Sequence, residues 1–255
     1  MISRLFFNVL LVVFNTVVQT VQASPDVTSC QNFKVALDIG HTLKDPGAIS
    51  ARGQSEFSFN LRLAHEIHAG LASANIESFL INDDGAIVSL EDRTVLAALG
   101  GAELFVSVHH DSVQPHYLSE WTVDGQIHRF SDHFRGFSLF VSQRNTAYPE
   151  SLYFATLLGE HLIAQALTPT LHHAEPIPGE NRPLLNEQLG IYRFDNLFVL
   201  RTATMPAVLF EAGVIVHRDE ELDLSDQDYR ARHVNALVAA VHDFCRWVES
   251  TKFDL

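Results

Sequence analysis

The chain has 255 residues, 47% of them hydrophobic, with 17 Lys and Arg against 31 Asp and Glu for a formal net charge of −14. That acidity excludes nucleic acid as a partner, because phosphate binding rests on clustered cations, and it excludes long-range attraction as the means of collecting an acidic substrate. The length suits one α/β unit with a sizeable core, and no internal repeat or low-complexity tract marks a second module.

Residues 1–23 read as a signal peptide. Arg4 precedes the apolar runs Leu5-Phe6-Phe7, Val9 to Phe14 and Val17-Val18, and Val21-Gln22-Ala23 offers small residues at the positions a signal peptidase reads. An uncleaved anchor is the alternative, but the run is short for a span and Asn8, Asn15, Thr16 and Gln19 interrupt it. No other segment is apolar enough to cross a bilayer, so no stable membrane span is expected after cleavage. Residues 24–32 form an N-terminal extension and residues 33–255 a single domain. Cys30 and Cys245 are the only cysteines. In an exported chain they form either a disulfide or two unrelated thiols, and both arrangements stay open.

Phe33 to Ile39 reads as a strand that runs out into a loop at Asp38-Ile39-Gly40-His41. Glu56 opens an amphipathic helix in which Phe59, Leu63, Ile67 and Leu71 recur at the spacing of one helix face, with His65 and His68 at its solvated edge. Ile76 to Ile81 is the next strand. Ser89 followed by Asp92 is a capping-box pattern for a helix through Leu99, and Leu104 to His109 is again a strand. This βαβαβ order predicts an α/β fold: a mostly parallel twisted sheet flanked by helices on both faces, binding ligands beyond the carboxyl ends of its strands.

Residues 114–135 are polar, aromatic and without clear periodicity, which suits a lid. The loop from Thr168 to Glu187 contains Pro169, Pro176, Pro178, Gly179 and Pro183, so irregular structure is expected there. His172, His173 and Glu175 on that loop read as exposed residues rather than as a second metal site. Ala207 to Glu211 forms a third apolar strand that ends on a carboxylate.

His41, His109 and Glu211 thus fall at strand ends, with Glu56 at a helix start. Two neutral imidazoles and one carboxylate, His41, His109 and Glu56, are a ligand set for zinc that leaves a position open for water. Zinc lowers the pKa of bound water towards about 7 and polarises a carbonyl. An amide also needs a proton delivered to its departing nitrogen, a task assigned to Glu211. His110 competes with His109, but alternation along a strand points only one of the pair into the site, and position favours His109. Arg93, Arg182, Arg193 and Arg201 are the cations to inspect for substrate carboxylates. Ser107 and Ser112 lack the Gly-x-Ser-x-Gly turn of a serine hydrolase.

Several segments, in order, resemble the zinc-dependent N-acetylmuramoyl-L-alanine amidases of the amidase_3 group. They are Asp38-Ile39-Gly40-His41 with Asp45-Pro46-Gly47-Ala48, then Glu56, Arg93, and Leu104 to Ser112. Phe137 to Ser142 is similar to the family's central strand. Leu197 to Arg201 followed by Met205 to Gly213 is similar to its terminal strand and catalytic turn. The resemblance runs from about Phe33 to about Val248, and Ile39, Thr42, His110 and His217 depart from the usual pattern.

It implies a phosphorylase/hydrolase-like fold, His41, Glu56 and His109 as zinc ligands, and Glu211 as catalytic carboxylate. It also implies a substrate, the amide between N-acetylmuramic acid and L-alanine in peptidoglycan or muropeptides. In some members an insertion near residues 114–135 forms a helix that blocks the zinc until an activator protein removes it; here the segment looks short for that, and an activator remains a partner to consider. Export to the periplasm of a Gram-negative bacterium follows from the signal peptide. The alternatives are a carboxypeptidase-like zinc hydrolase and a peptidoglycan-binding regulator without catalysis.

Overall fold

The computed structural model describes residue 30 and residues 32–252; the expected signal peptide lies outside the described residues. The strands are β1 (Lys34–Ile39), β2 (Glu77–Ile81), β3 (Leu104–Asp111), β4 (Ser119–Val123), β5 (Gln126–Phe130), β6 (Ser138–Val141), β7 (Leu184–Asn186), β8 (Ile191–Arg193) and β9 (Ala207–Val214). The helices are α1 (Glu56–Ser73), α2 (Leu90–Leu99), α3 (Tyr148–Ala164), α4 (Phe198–Thr202), α5 (Arg218–Ser225) and α6 (Gln227–Lys252). Seven strands form one sheet in the order β2-β1-β3-β9-β6-β8-β7. Pairing is parallel from β2 through β9 and again between β6 and β8, and antiparallel between β9 and β6 and between β8 and β7. The expected mostly parallel α/β sheet is what the chain builds.

Period-two alternation divides the core. Val35, Leu37, Val106, Val108, Val208 and Phe210 face α1, α3 and α6, joining Leu63, Ile67, Phe154, Leu158, Leu237 and Phe244 in one cluster. Their neighbours Ala36, Phe105, Ala207 and Leu209 face the other way, onto Ala97 of α2 and Val199 and Leu200 of α4. The same alternation sends Asp38, Ser107, His109 and Glu211 towards the α2/α4 side, where these strands run out of apolar residues. Sheet register then sets His109 directly opposite Glu211 across the β3–β9 pair.

Helix starts follow local chemistry. Ser89 Oγ accepts from Asp92 N at 3.1 Å and caps α2, as the sequence predicts. His217 caps α5 by accepting from Asp219 N and Glu220 N, each at 3.2 Å.

Four expectations change. β3 and β9 continue past His109 and Glu211, so these two residues lie inside strands rather than at their ends. Leu197 to Arg201 is largely the short helix α4, because a five-residue apolar run has no periodicity to separate helix from strand. Residues 119–130 form the hairpin β4–β5, turning at Asp124 (φ 50°) and Gly125 (φ 77°), the left-handed pair that a tight hairpin turn uses. It is held by Trp121 Nε1 donating to Ala51 O at 2.7 Å. The proline-rich loop contains β7 and the short 3-10 turn His172–Ala174.

Cys30 and Cys245 are joined by a disulfide with Cα atoms 5.8 Å apart, which ties the chain before β1 to α6. Reduction, or replacement of both cysteines by serine, is expected to cost about 2–5 kcal/mol by freeing the unfolded chain. That corresponds to a fall of roughly 4–20 °C in Tm. Identical thermal unfolding with and without reductant would remove this stabilising role.

Candidate metal centre

The loop after β1 turns back at His41, whose φ of 68° is a left-handed value that costs energy for a residue with a side chain. Two side chains, Asn82 and Arg93, hold it there. Asn82 Nδ2 donates to Ile39 O at 2.8 Å and His41 O at 2.7 Å. Arg93 donates to the same two carbonyls at 2.6 Å each and pairs with Asp38 Oδ1 at 2.9 Å, while Ser107 Oγ donates to Asp38 Oδ2 at 2.7 Å. Arg93 is therefore buried scaffolding, 2% exposed, and is unavailable to a substrate carboxylate. The sequence reading missed Asn82; its only local signal is a polar residue directly after an apolar strand.

Glu56, the first residue of α1, is buried between two imidazoles. Its Oε2 lies 3.0 Å from His41 Nε2, and its Oε1 lies 3.0 Å from His109 Nδ1. Burial pushes the carboxyl up, but the hydrogen bonds and charge of His109 and His41 outweigh it and hold Glu56 well below the usual carboxylate range. The His41 imidazole is pushed down by burial and raised more strongly by Glu56, so its pKa ends above the ordinary value.

His110 points away from this cluster. Its Nδ1 meets Asn60 Oδ1 at 2.8 Å, its ring packs 5.5 Å from Phe59, and burial lowers its pKa to about 3. It is His109 that faces Glu56 and lines the cleft.

One donor atom from each of His41, Glu56 and His109 lies within 4.8 Å of the others, a two-nitrogen, one-oxygen set that fits a zinc ion. The backbone makes room for it. A Cβ on Gly40 would stand 2.3 Å from the His109 ring, and a Cβ on Gly47 2.4 Å from Glu56 Oε2 and 2.7 Å from His41 Nε2. Only glycine permits these approaches.

Glu211 stands opposite His109 with Oε2 buried and without a hydrogen-bond partner. Burial, then the charges of Asp111 and Glu56, raise its pKa well above the ordinary carboxyl value. Two adjoining clefts open here. One, of about 350 Å³, is lined by His41, His109, Val88, Leu90 and Phe198; the other, of about 290 Å³, by Glu211, Asp111, His173 and Arg182; Leu197 and Leu209 line both.

Arg182 stacks 3.8 Å over Phe194 on the second cleft. Arg193 pairs with Asp195 and Gln143, and Arg201 lies over Phe198. The expectation of exposed loop histidines fails: His172 is 2% and His173 9% exposed, and both turn inward onto Asp111. Asp111 and Glu180 lift His173 to about 9 against the lowering effect of burial.

On this mostly parallel α/β sheet a His-Glu-His donor set borders one cleft and a raised carboxyl borders the adjoining one, the combination that a metal-dependent hydrolase would need. The profile of the Amidase_3 family, N-acetylmuramoyl-L-alanine amidase, matches residues 35–243, and the chain belongs to that family. It is 24% identical over 230 residues to the N-acetylmuramoyl-L-alanine amidase AmiA of Escherichia coli K12, covering 86% of this chain and 78% of AmiA. Among solved structures, the catalytic domain of the amidase CwlV from Bacillus (Paenibacillus) polymyxa superposes with a TM-score of 0.62 at 26% identity, covering 83% of this chain and 97% of that domain. Ami1 from Mycobacterium smegmatis shares the fold, with a TM-score of 0.66 at 20% identity over 85% of this chain and 98% of Ami1.

If Gly40 makes room for the His109 ring, Gly40→Ala should weaken zinc binding by at least about tenfold, the range seen when groups supporting a ligand are disturbed. Competition with a chromogenic chelator measures this, and an affinity equal to that of the parent would refute it.

Proposed function

We propose that this amidase uses zinc held by His41, Glu56 and His109 to cleave the bond between the lactyl group of N-acetylmuramic acid and L-alanine, with Glu211 as general acid and base. The observation that carries this reading is the unpartnered, raised Glu211 carboxyl set in register opposite His109. Zinc, when bound, polarises the substrate carbonyl and makes a water acidic enough to attack at neutral pH.

Glu211 Oε2 has no competing donor, so it is free to take the proton from the attacking water. A carboxyl raised by burial holds that proton long enough to pass it to the departing nitrogen of L-alanine. The C–N bond breaks, and the products are the lactyl carboxylate and a free stem peptide. Arg182, on the cleft that Glu211 lines, is the cation placed to meet a stem-peptide carboxylate. Local contacts of this kind have to bind the substrate, since a chain of net charge −14 repels it at distance.

The domain limits 33–255, cleavage after Ala23 and export to a periplasm belong to the same reading. They are supported by the leader-like composition of residues 1–23 and by the Cys30–Cys245 disulfide, which an oxidising compartment preserves. Among the described residues no helix is long and apolar enough to cross a membrane.

One solved relative is the CwlD amidase in complex with the GerS lipoprotein, so partner binding occurs on this fold. Here residues 119–130 are a hairpin docked on Ala51, which supports a site reached without removal of a blocking helix.

Mass spectrometry of sacculi and muropeptides after incubation with the zinc-loaded protein tests the reading. Zinc-dependent release of free stem peptides beginning at L-alanine is expected. Glu211→Ala should keep its zinc and fold yet lose roughly 100- to 10,000-fold in rate, whereas His41→Ala should lose the zinc of the His41–Glu56–His109 site together with activity. Normal hydrolysis by Glu211→Ala would sink the general-base assignment, and undiminished zinc in His41→Ala would sink the ligand assignment.

A further inference from the structure

On the second cleft lies another set of two imidazoles and a carboxylate, to which the amidase reading assigns no role. Asp111 follows His109 by two residues on β3. His172 and His173 come from the 3-10 turn in the loop between α3 and β7. Asp111 Oδ2 is 2.7 Å from His173 Nε2 and 3.3 Å from His172 Nε2, and a donor atom from each of the three lies within 4.8 Å of the others.

The far side of each ring is already fixed. His173 Nδ1 meets Glu180 Oε2 at 2.8 Å, and Gln114 Nε2 in turn donates to Glu180 Oε1 at 2.6 Å. His172 Nδ1 meets Thr170 Oγ1 at 2.9 Å. Both Nε2 atoms therefore present themselves to Asp111, the arrangement by which outer carboxylates and hydroxyls orient metal-binding histidines.

Protons alone satisfy this cluster poorly. The two ring centroids are 4.0 Å apart, so charging both imidazoles sets like charges side by side in a buried site. Charging His173 alone leaves His172 Nε2 buried with no hydrogen bond, which is its condition in the structure. A divalent cation answers all three groups at once. Zinc bonds of about 2.0–2.2 Å place tetrahedral ligand atoms roughly 3.3–3.6 Å apart, so the two separations from Asp111 need to open by less than about 1 Å. They also match the 3.0 Å separations in the His41–Glu56–His109 cluster.

We propose that Asp111, His172 and His173 form a second zinc site, oriented by Glu180 and Thr170, that pins the loop after α3 to the end of β3 beside Glu211. It draws on none of the ligands of the first centre.

Elemental analysis of the full chain after zinc loading and exhaustive dialysis tests it. Two equivalents are expected in the parent, one in His173→Ala, one in His41→Ala and none in the double variant. Zinc should raise the Tm of His41→Ala and leave that of His41→Ala/His173→Ala unmoved. Should His173→Ala fail to fold, Glu180→Ala keeps all three ligands and is expected to weaken one of the two equivalents by about 10- to 100-fold.

One equivalent in the parent and none in His41→Ala would overturn the proposal, as would parental zinc content and affinity in His173→Ala and Glu180→Ala. Loss of one equivalent in His173→Ala alongside full zinc in His41→Ala would support the second site while removing the first.

Discussion

The site depends on one buried carboxylate, Glu56, standing between two imidazoles. A charged carboxylate withdrawn from water is costly unless its oxygens are met by donors. Here Oε2 meets His41 Nε2 and Ala48 N, and Oε1 meets His109 Nδ1. These contacts come from two parts of the chain, the loop between β1 and α1, and β3. Satisfying Glu56 therefore fixes the packing of α1 against the carboxyl ends of β1 and β3. The charge balance that makes the cluster stable is also what makes it a candidate set of metal donors.

The scaffold around it solves the same problem with different groups. Asp38 is buried at 1% exposure and is paired with Arg93 and Ser107. Arg93 also donates to the Ile39 and His41 carbonyls of the strained turn and to Ile87 O. One buried ion pair thus stores the backbone strain that aims His41, and this explains an arginine in a motif whose chemistry has no use for a free cation there.

Much of this was legible in the sequence, and the legible part has a common cause. Strands β1 and β3 and the face of α1 announce themselves by alternation or helical spacing, and the α2 cap by two residues three apart, all local signals. His41, Glu56, His109 and Glu211 could be nominated because each sits next to such an element. The losses share a cause too. Arg93 looks like any surface arginine until Asp38, 55 residues away, is placed against it. His172 and His173 look like loop residues because the carboxylate that buries them is 62 residues from His173. The hairpin at 119–130 is the exception: Asp124-Gly125 between alternating runs was a local turn signal, and the aromatic content of the segment obscured it.

Three carboxylates, Glu56, Asp111 and Glu211, converge on the end of the β3–β9 pair in a chain that is already strongly acidic. Glu56 and Asp111 each stay ionised because two imidazoles face them, and their pKa values lie far below the ordinary range. Glu211 has no such partner, and burial raises its pKa, with the charges of Asp111 and Glu56 adding to the rise. The environments of three like groups have thus been driven apart, two towards the ionised form and one towards the protonated form, by where the histidines fall. Which carboxyl stays ionised is therefore set less by the carboxylates than by the four imidazoles, His41 and His109 on Glu56 and His172 and His173 on Asp111.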